Sequence, residues 1–282
     1  FSDRYILVTN IDKESFPDII KNNITILSIS RIESQNTIDL SNYLIELWNK
    51  KKLKANSPSI EIHCFKRWLI LRDLYDQGYI DRSQHVFSHD WDDIIFEKIS
   101  YLYQKLDSFL EKNISKEKLL ITGAFEIKKE MAPHFLLVSL GCLNDYIDKI
   151  KKLANRYIHL NEKTFFSDMK PWAYLYHLYS QKEEGIALRW EDVLQNEYYV
   201  SENIRWDYGY RSYKINLRRI AIPKANCFLP NGERELACKN YLVSKEGVVY
   251  INTKNGLKIK ALNAHYQGSE GKFVMIMDIH SL

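Results

Sequence analysis

Four consecutive residues, Asp90-Trp91-Asp92-Asp93, place three carboxylates directly after a short apolar run centred on His85-Val86-Phe87. Two carboxylates one residue apart in a loop can both turn toward one hard divalent cation. Such a cation, Mg2+ or Mn2+ by its preference for oxygen, would bridge the two phosphates of a nucleotide diphosphate. There it would act as a Lewis acid, neutralising charge on a departing diphosphate without a proton transfer. The same aspartates could instead cap the helix that follows, since Asp is favoured at N-caps and in first turns. In open α/β sheets ligands gather outside the carboxyl ends of the strands, where this run lies, although taken alone such a run is more often a cap or a solvated turn.

The elements that must carry this loop are legible as alternating strands and helices. Tyr5-Ile6-Leu7-Val8 and Ile24-Thr25-Ile26-Leu27 are short apolar runs suited to a buried parallel sheet. Leu40, Tyr43, Leu44, Leu47 and Trp48 recur at helical spacing between Thr37 and Lys52. Further helices are expected over about Ile60 to Tyr75, Phe96 to Leu110 and Phe135 to Ile158, with a strand at Leu119-Leu120-Ile121-Thr122. This alternation predicts a mostly parallel central sheet flanked by helices. After Lys170 comes an aromatic helix around Trp172 to Tyr179. The turns at Asn231-Gly232, Glu246-Gly247 and Asn255-Gly256 then predict antiparallel additions in the C-terminal half.

Composition bounds the function classes. The chain has 282 residues, 45% of them hydrophobic and 27% charged, as in a globular α/β domain, and its 10 Gly and 6 Pro leave little material for disordered linkers. A formal charge of +4 is too mild to argue for nucleic acid as a partner. Cys64, Cys142, Cys227 and Cys238 lie far apart with no CxxC pair, which predicts reduced thiols rather than a zinc knuckle or a disulfide framework. No run approaches the ~20 apolar residues of a membrane helix, and the opening residues, which enter a strand almost at once, predict no secretory leader unless a segment has been trimmed away. The expectation is a cytoplasmic protein without a transmembrane segment, with peripheral attachment at a membrane through a partner or a lipid-linked acceptor left open.

Beyond these residue types, the stretch from Ser57 to Phe96 resembles a bacterial and viral type of GT-A glycosyltransferase. Ser57-Pro58-Ser59-Ile60-Glu61 and Cys64-Phe65-Lys66-Arg67-Trp68-Leu69-Ile70-Leu71 look like that family's arginine-tryptophan helix, and His85 to Asp92 like its DxD strand. Asp90-Trp91-Asp92 would be the DxD element. Trp91 stands where the family usually has a small residue and His89 where it has an apolar one, so Asp92 with Asp93 is kept as the alternative metal pair.

Three later segments extend the resemblance. Ile121-Thr122-Gly123-Ala124-Phe125-Glu126-Ile127 is similar to the family's glycine-aromatic strand, which borders the donor sugar and acceptor pocket; Gly123 would let the backbone approach the ligand there, or serve equally well as a plain strand end or bulge. Phe165-Phe166-Ser167-Asp168-Met169 resembles its serine-aspartate-methionine element. Asp168 would there take an acceptor hydroxyl proton as a general base or hold a sugar by hydrogen bonds, its structural alternative being an N-cap. His265-Tyr266-Gln267-Gly268-Ser269-Glu270-Gly271-Lys272 looks like the His-aromatic-Gln-Gly-x-x-Lys closing segment of several GT-A families. The resemblance implies that His265 joins Asp90 and Asp92 at the metal, that Gly268 and Gly271 let the loop approach the diphosphate, and that Lys272 contacts phosphate. By analogy with nucleotide-sugar folds, Thr9 and Asn10 at the end of the first strand would meet the base, while Arg67 would either reach the donor or simply pair with an acidic neighbour.

The implied protein is a single GT-A (nucleotide-diphospho-sugar transferase) domain over 1–282, with a nucleotide-sugar half at 1–97 and an acceptor-binding and closing half at 98–282. It would be a metal-dependent hexosyltransferase using Mn2+ or Mg2+ and a nucleotide-sugar donor, UDP-sugar being the commonest for this fold. The acceptor would be a carbohydrate, glycolipid or glycoprotein, as in polysaccharide biosynthesis. Two other classes stay open: a metal-dependent phosphohydrolase or nuclease, and a carbohydrate-binding module stacking sugars on aromatic residues such as Trp172, Tyr174, Tyr176, Trp206, Tyr208 and Tyr210.

Overall fold

A computed structural model describes residues 5–18, 22, 24–55, 57–89, 93–110, 117–123, 126–127, 130–131, 133, 135–160, 165–181, 184–195, 198–199, 213–215, 218–220, 241–243, 249–252 and 258–265. The described residues form an α/β protein with a small parallel sheet, a mixed sheet and helices. The chain divides into two compact units: Phe1–Val86, Ser115–Leu120 and Val138–Ile186 in the first, and Phe87–Ile114, Ile121–Leu137 and Ala187–Leu282 in the second.

In the first unit, strands β1 (Tyr5–Thr9) and β2 (Ile24–Ser28) pair in parallel from Tyr5 opposite Ile24 to Thr9 opposite Ser28. Helix Gln35–Asn49 starts where Ser34 Oγ accepts from Thr37 N at 3.2 Å, and its Leu40, Leu44, Leu47 and Trp48 face inward at helical spacing. Helix Pro58–Asp76 opens on a proline, whose missing N–H costs nothing in a first turn. It buries Phe65, Trp68 and Leu69 on one side. Helices Leu140–His159 and Met169–Ser180 bring Leu143, Tyr146, Ile150, Trp172, Leu175 and Tyr179 into the same core. Aromatic contacts knit it together: Trp68 lies 4.9 Å from Trp172, Tyr146 stacks on Trp172 at 4.2 Å and Phe65 on Phe166 at 5.7 Å.

The mixed sheet has the order β3 (Val86–His89), β8 (Phe135–Val138), β5 (Leu119–Thr122), β9 (Ile186–Arg189). One correction to the sequence reading arises here. Phe135–Val138 begins no helix; it is a strand buried on both faces, and the helix starts only after Ser139, whose Oγ accepts from Cys142 N at 3.2 Å. The mixed sheet also contains an antiparallel pair. Gly123 N donates to Phe135 O at 3.3 Å and Ser139 N donates to Leu119 O at 3.0 Å, so β5 and β8 run antiparallel. Residues 124–134 are too few for the helical crossover that a parallel pair requires.

In the second unit, β4 (Asp93–Ile95) pairs antiparallel with β16 (Asn263–His265). Helix Ile99–Leu110 buries Leu102, Leu106 and Leu110. Phe87, Phe135 and Trp190 meet edge-on, with ring centroids 4.6 to 5.9 Å apart. A second four-stranded sheet has the order β10 (Tyr198–Tyr199), β15 (Lys258–Ala261), β14 (Val249–Asn252), β13 (Tyr241–Val243). The β13–β14 and β14–β15 pairs are antiparallel, as the turns at Glu246-Gly247 and Asn255-Gly256 predict. Asn231-Gly232 lies outside the described residues.

Candidate functional site

Strands β4 and β16 bring together Asp93, the last residue of the acidic run, and His265, the first of the closing segment, which are far apart in the sequence. The register sets His265 opposite Asp93, Ala264 opposite Ile94 and Asn263 opposite Ile95, and Phe96 N donates to Leu262 O at 2.9 Å to extend the ladder. Opposed α-carbons in such a pair lie about 4.5–5.5 Å apart. Local sequence explains the turn into this pairing. Leu262 separates β15 from β16 and is fully buried, anchoring the chain where it leaves one sheet and joins β4. Asp90 and Asp92 lie outside the described residues, as do Gly268 and Lys272, and Asp93 and His265 are described by backbone alone. Among the described residues, no group of three His, Cys, Asp or Glu could hold a metal ion.

The other site candidates that meet are Arg67 and Asp168, both in the first unit. Arg67 Nη2 donates to Asp168 Oδ2 at 3.0 Å, and Trp68 Nε1 donates to the same oxygen at 3.1 Å. Asp168 occupies the N-cap position of helix Met169–Ser180 but makes no side-chain cap; its carboxylate turns inward and is 4% exposed, against 29% for Arg67. The arginine guanidinium also lies 4.7 Å from the Trp68 ring centroid. Beneath them the Tyr146 hydroxyl donates to Asp168 O at 3.4 Å. Burial, and then the Asp168 charge, push the Tyr146 phenol well above its ordinary range. Buried beside two donors, the carboxylate is arranged to hold Arg67 and the helix carrying it. Neither Trp68 nor Tyr146 stands out in the sequence as a partner of Asp168, because the contacts bridge separate helices.

The remaining candidates are placed as follows. Thr9 ends β1, and its Oγ1 accepts from Ile11 N at 3.1 Å; Asn10 follows it on the surface. Gly123, in the second unit, is buried at the end of β5 and bonded to Phe135. Of the aromatic residues considered for sugar stacking, Trp172 is fully buried and belongs to the core, whereas Tyr174 is 37% exposed. Trp206, Tyr208 and Tyr210 lie outside the described residues. Cys64 and Cys142 are both free thiols, and Cys142 is buried, which drives its pKa upward.

The architecture defines the protein as α/β, and no helix among its described residues is long and apolar enough to cross a membrane. Compared with known proteins, the chain matches no family model, no curated protein and no solved structure.

Proposed function

We propose that this protein is a metal-dependent glycosyltransferase of GT-A type, moving a sugar from a nucleotide-sugar donor, a UDP-sugar in the simplest case, to a carbohydrate-bearing acceptor. The observation that carries this reading is the β4–β16 register. It sets His265 opposite Asp93, so the last residue of the acidic run and the first of the closing segment are paired on one ladder within one unit. A plain helix cap followed, much later in the chain, by an unrelated hairpin would not require that meeting.

The donor set suits the group. Carboxylate oxygens from Asp90 and Asp92, with an imidazole nitrogen from His265, are ligands that Mn2+ or Mg2+ accepts. Once bound, the cation would supply charge neutralisation on the leaving diphosphate. Lys272 would add a point charge for a phosphate oxygen, and Gly268, lacking a side chain, would let the backbone come close to it. Thr9, Asn10, Arg67 and Gly123 are assigned to the donor by the resemblance. In this reading Asp168 is a positioning residue whose carboxylate fixes Arg67, rather than an open general base.

Calorimetric titration of UDP in the presence of Mn2+, repeated with EDTA and with Asp92→Ala and His265→Ala, tests the proposal. Metal-dependent binding lost in both variants is expected. Binding that is absent, or indifferent to metal and to both residues, would overturn it in favour of the hydrolase or binding-module readings.

A further inference from the structure

We infer that an open groove beside helix Ile99–Leu110 binds a neutral oligosaccharide. Taken as the acceptor, this saccharide rests on the transferase reading above; taken as a carbohydrate site, the groove stands without it. Tyr101, Gln104, Lys105, Ser108 and Phe109 line one side of a cavity of about 610 Å3, with Gln195 and buried Val193 opposite. That volume falls within the ~300–1,000 Å3 of small-molecule sites.

The lining positions follow from the helix itself. Residues 101, 104, 105, 108 and 109 are spaced three, one, three and one apart, which puts them on one stripe, while Leu102, Leu106 and Leu110 form the buried stripe. The helix therefore presents a second stripe of mixed character, aromatic at both ends and amide and hydroxyl between. Tyr101 to Phe109 spans about 12 Å along the axis, longer than a single pyranose ring. A pyranose has apolar C–H faces and a rim of hydroxyls. Aromatic carbon meets the first; the Gln104 and Gln195 amides, each both donor and acceptor, meet the second.

Charge selects against other ligands. Among the described residues, Lys105 is the one charged residue lining the cavity, and its ammonium lies 5.6 Å from the Tyr101 ring centroid, where the ring already shares its field. Among the described lining residues an anion would find a single cation, and a metal ion no carboxylate. The walls are also held in place. Tyr101 packs against Tyr198 at 6.1 Å, and Tyr198 donates to Glu97 Oε1 at 3.0 Å. On the facing wall Gln195 has φ of 53°, the left-handed conformation that commonly ends a helix, one residue past the C-cap Leu194 of the short helix Trp190–Val193, and its N–H donates to Asp192 O at 3.1 Å. The stripe begins shortly after β4, so the groove and the Asp93–His265 ladder belong to one unit.

The full chain, Ser108→Trp and Tyr101→Ala would be applied to an immobilised panel of neutral hexose, N-acetylhexosamine and pentose oligosaccharides, with affinities of bound members measured by calorimetry. Ser108 is exposed, so tryptophan there obstructs the groove without disturbing the core. At least one member is expected to bind, with affinity falling about tenfold or more in both variants. No bound member, or equal binding in both variants, would overturn the inference. UDP with Mn2+ is titrated alongside: saccharide binding without UDP binding keeps the groove and removes the transferase reading, and the reverse keeps the transferase and removes the groove.

Discussion

Arg67 and Asp168 are joined at 3.0 Å through an oxygen that also accepts from Trp68 at 3.1 Å, so one buried carboxylate holds two consecutive residues of helix Pro58–Asp76. Removing it takes this acceptor from a half-buried arginine and from a buried indole N–H. Breaking a buried ion pair from one side typically costs about 3–5 kcal/mol. Asp168→Ala should therefore lower unfolding stability by roughly that amount, while Asp168→Asn, which retains an acceptor oxygen, should lose less. Urea denaturation followed by tryptophan fluorescence measures both. Stabilities equal to the parent protein would show that the carboxylate does not hold the helix, and would restore it as a candidate general base.

The β4–β16 register leads to a second expectation. If His265 and the acidic run share a cation, His265→Ala should weaken Mn2+-dependent UDP binding by about tenfold or more, roughly 1.4 kcal/mol, without altering the far-UV circular dichroism. Asp92 belongs to both possible carboxylate pairs, so Asp92→Ala should do the same. Asp90→Ala and Asp93→Ala separate the pairs. Loss in the first with binding kept in the second is the expected pattern, and the opposite pattern would assign the metal to Asp92 and Asp93.

How much of this was legible in the sequence depended on whether the signal was local. Helix Gln35–Asn49 could be read from Leu40, Leu44 and Leu47 because its own spacing creates the buried face. Phe135–Val138 was read wrongly because a four-residue apolar run ahead of a helix has no period of its own, and Ser139, which caps the helix, was the one local mark of the boundary. The inward turn of Asp168 had no local signal, since Arg67 and Trp68 lie about a hundred residues earlier. Trp172 offered the same aromatic surface to a reader whether it faced solvent or, as it does, the core. The order of the acidic run and the closing segment suggested that they converge, but strands as short as Asp93–Ile95 and Asn263–His265 do not declare their partner.

Asp73 provides a stability test independent of any function. Its Oδ2 accepts from Ser34 N at 2.9 Å and from Thr37 Oγ1 at 2.7 Å, tying helix Pro58–Asp76 to the first turn of helix Gln35–Asn49 while itself only 5% exposed. A hydrogen bond to a charged group contributes about 1.5–3 kcal/mol. Asp73→Ala should lose at least that much in urea denaturation, and Thr37→Val should lose less because the Ser34 bond survives. A loss larger in Thr37→Val than in Asp73→Ala would contradict the arrangement.

Three buried groups in the first unit set the alkaline limit of stability. Burial raises the pKa of Cys142, of Tyr146 and of Tyr179, the last also donating to Asp145 Oδ2 at 2.6 Å. Unfolded, the thiol ionises near 9.0 and the phenols near 10.0. Folded, they keep their protons to higher pH, so the folded state binds more protons through that window. Stability is accordingly constant below about pH 8 with respect to these groups and falls as pH rises past 9 and then 10, each fully buried group contributing a slope of up to about 1.4 kcal/mol per pH unit. Tyr146→Phe removes one such proton, as well as the bond to Asp168 O. The variant should be less stable at pH 7, yet lose stability more gradually above pH 10. Urea denaturation at successive pH values from 7 to 10.5 compares the two slopes, and parallel curves above pH 10 would show that the Tyr146 phenol ionises in the folded protein as readily as in the unfolded chain.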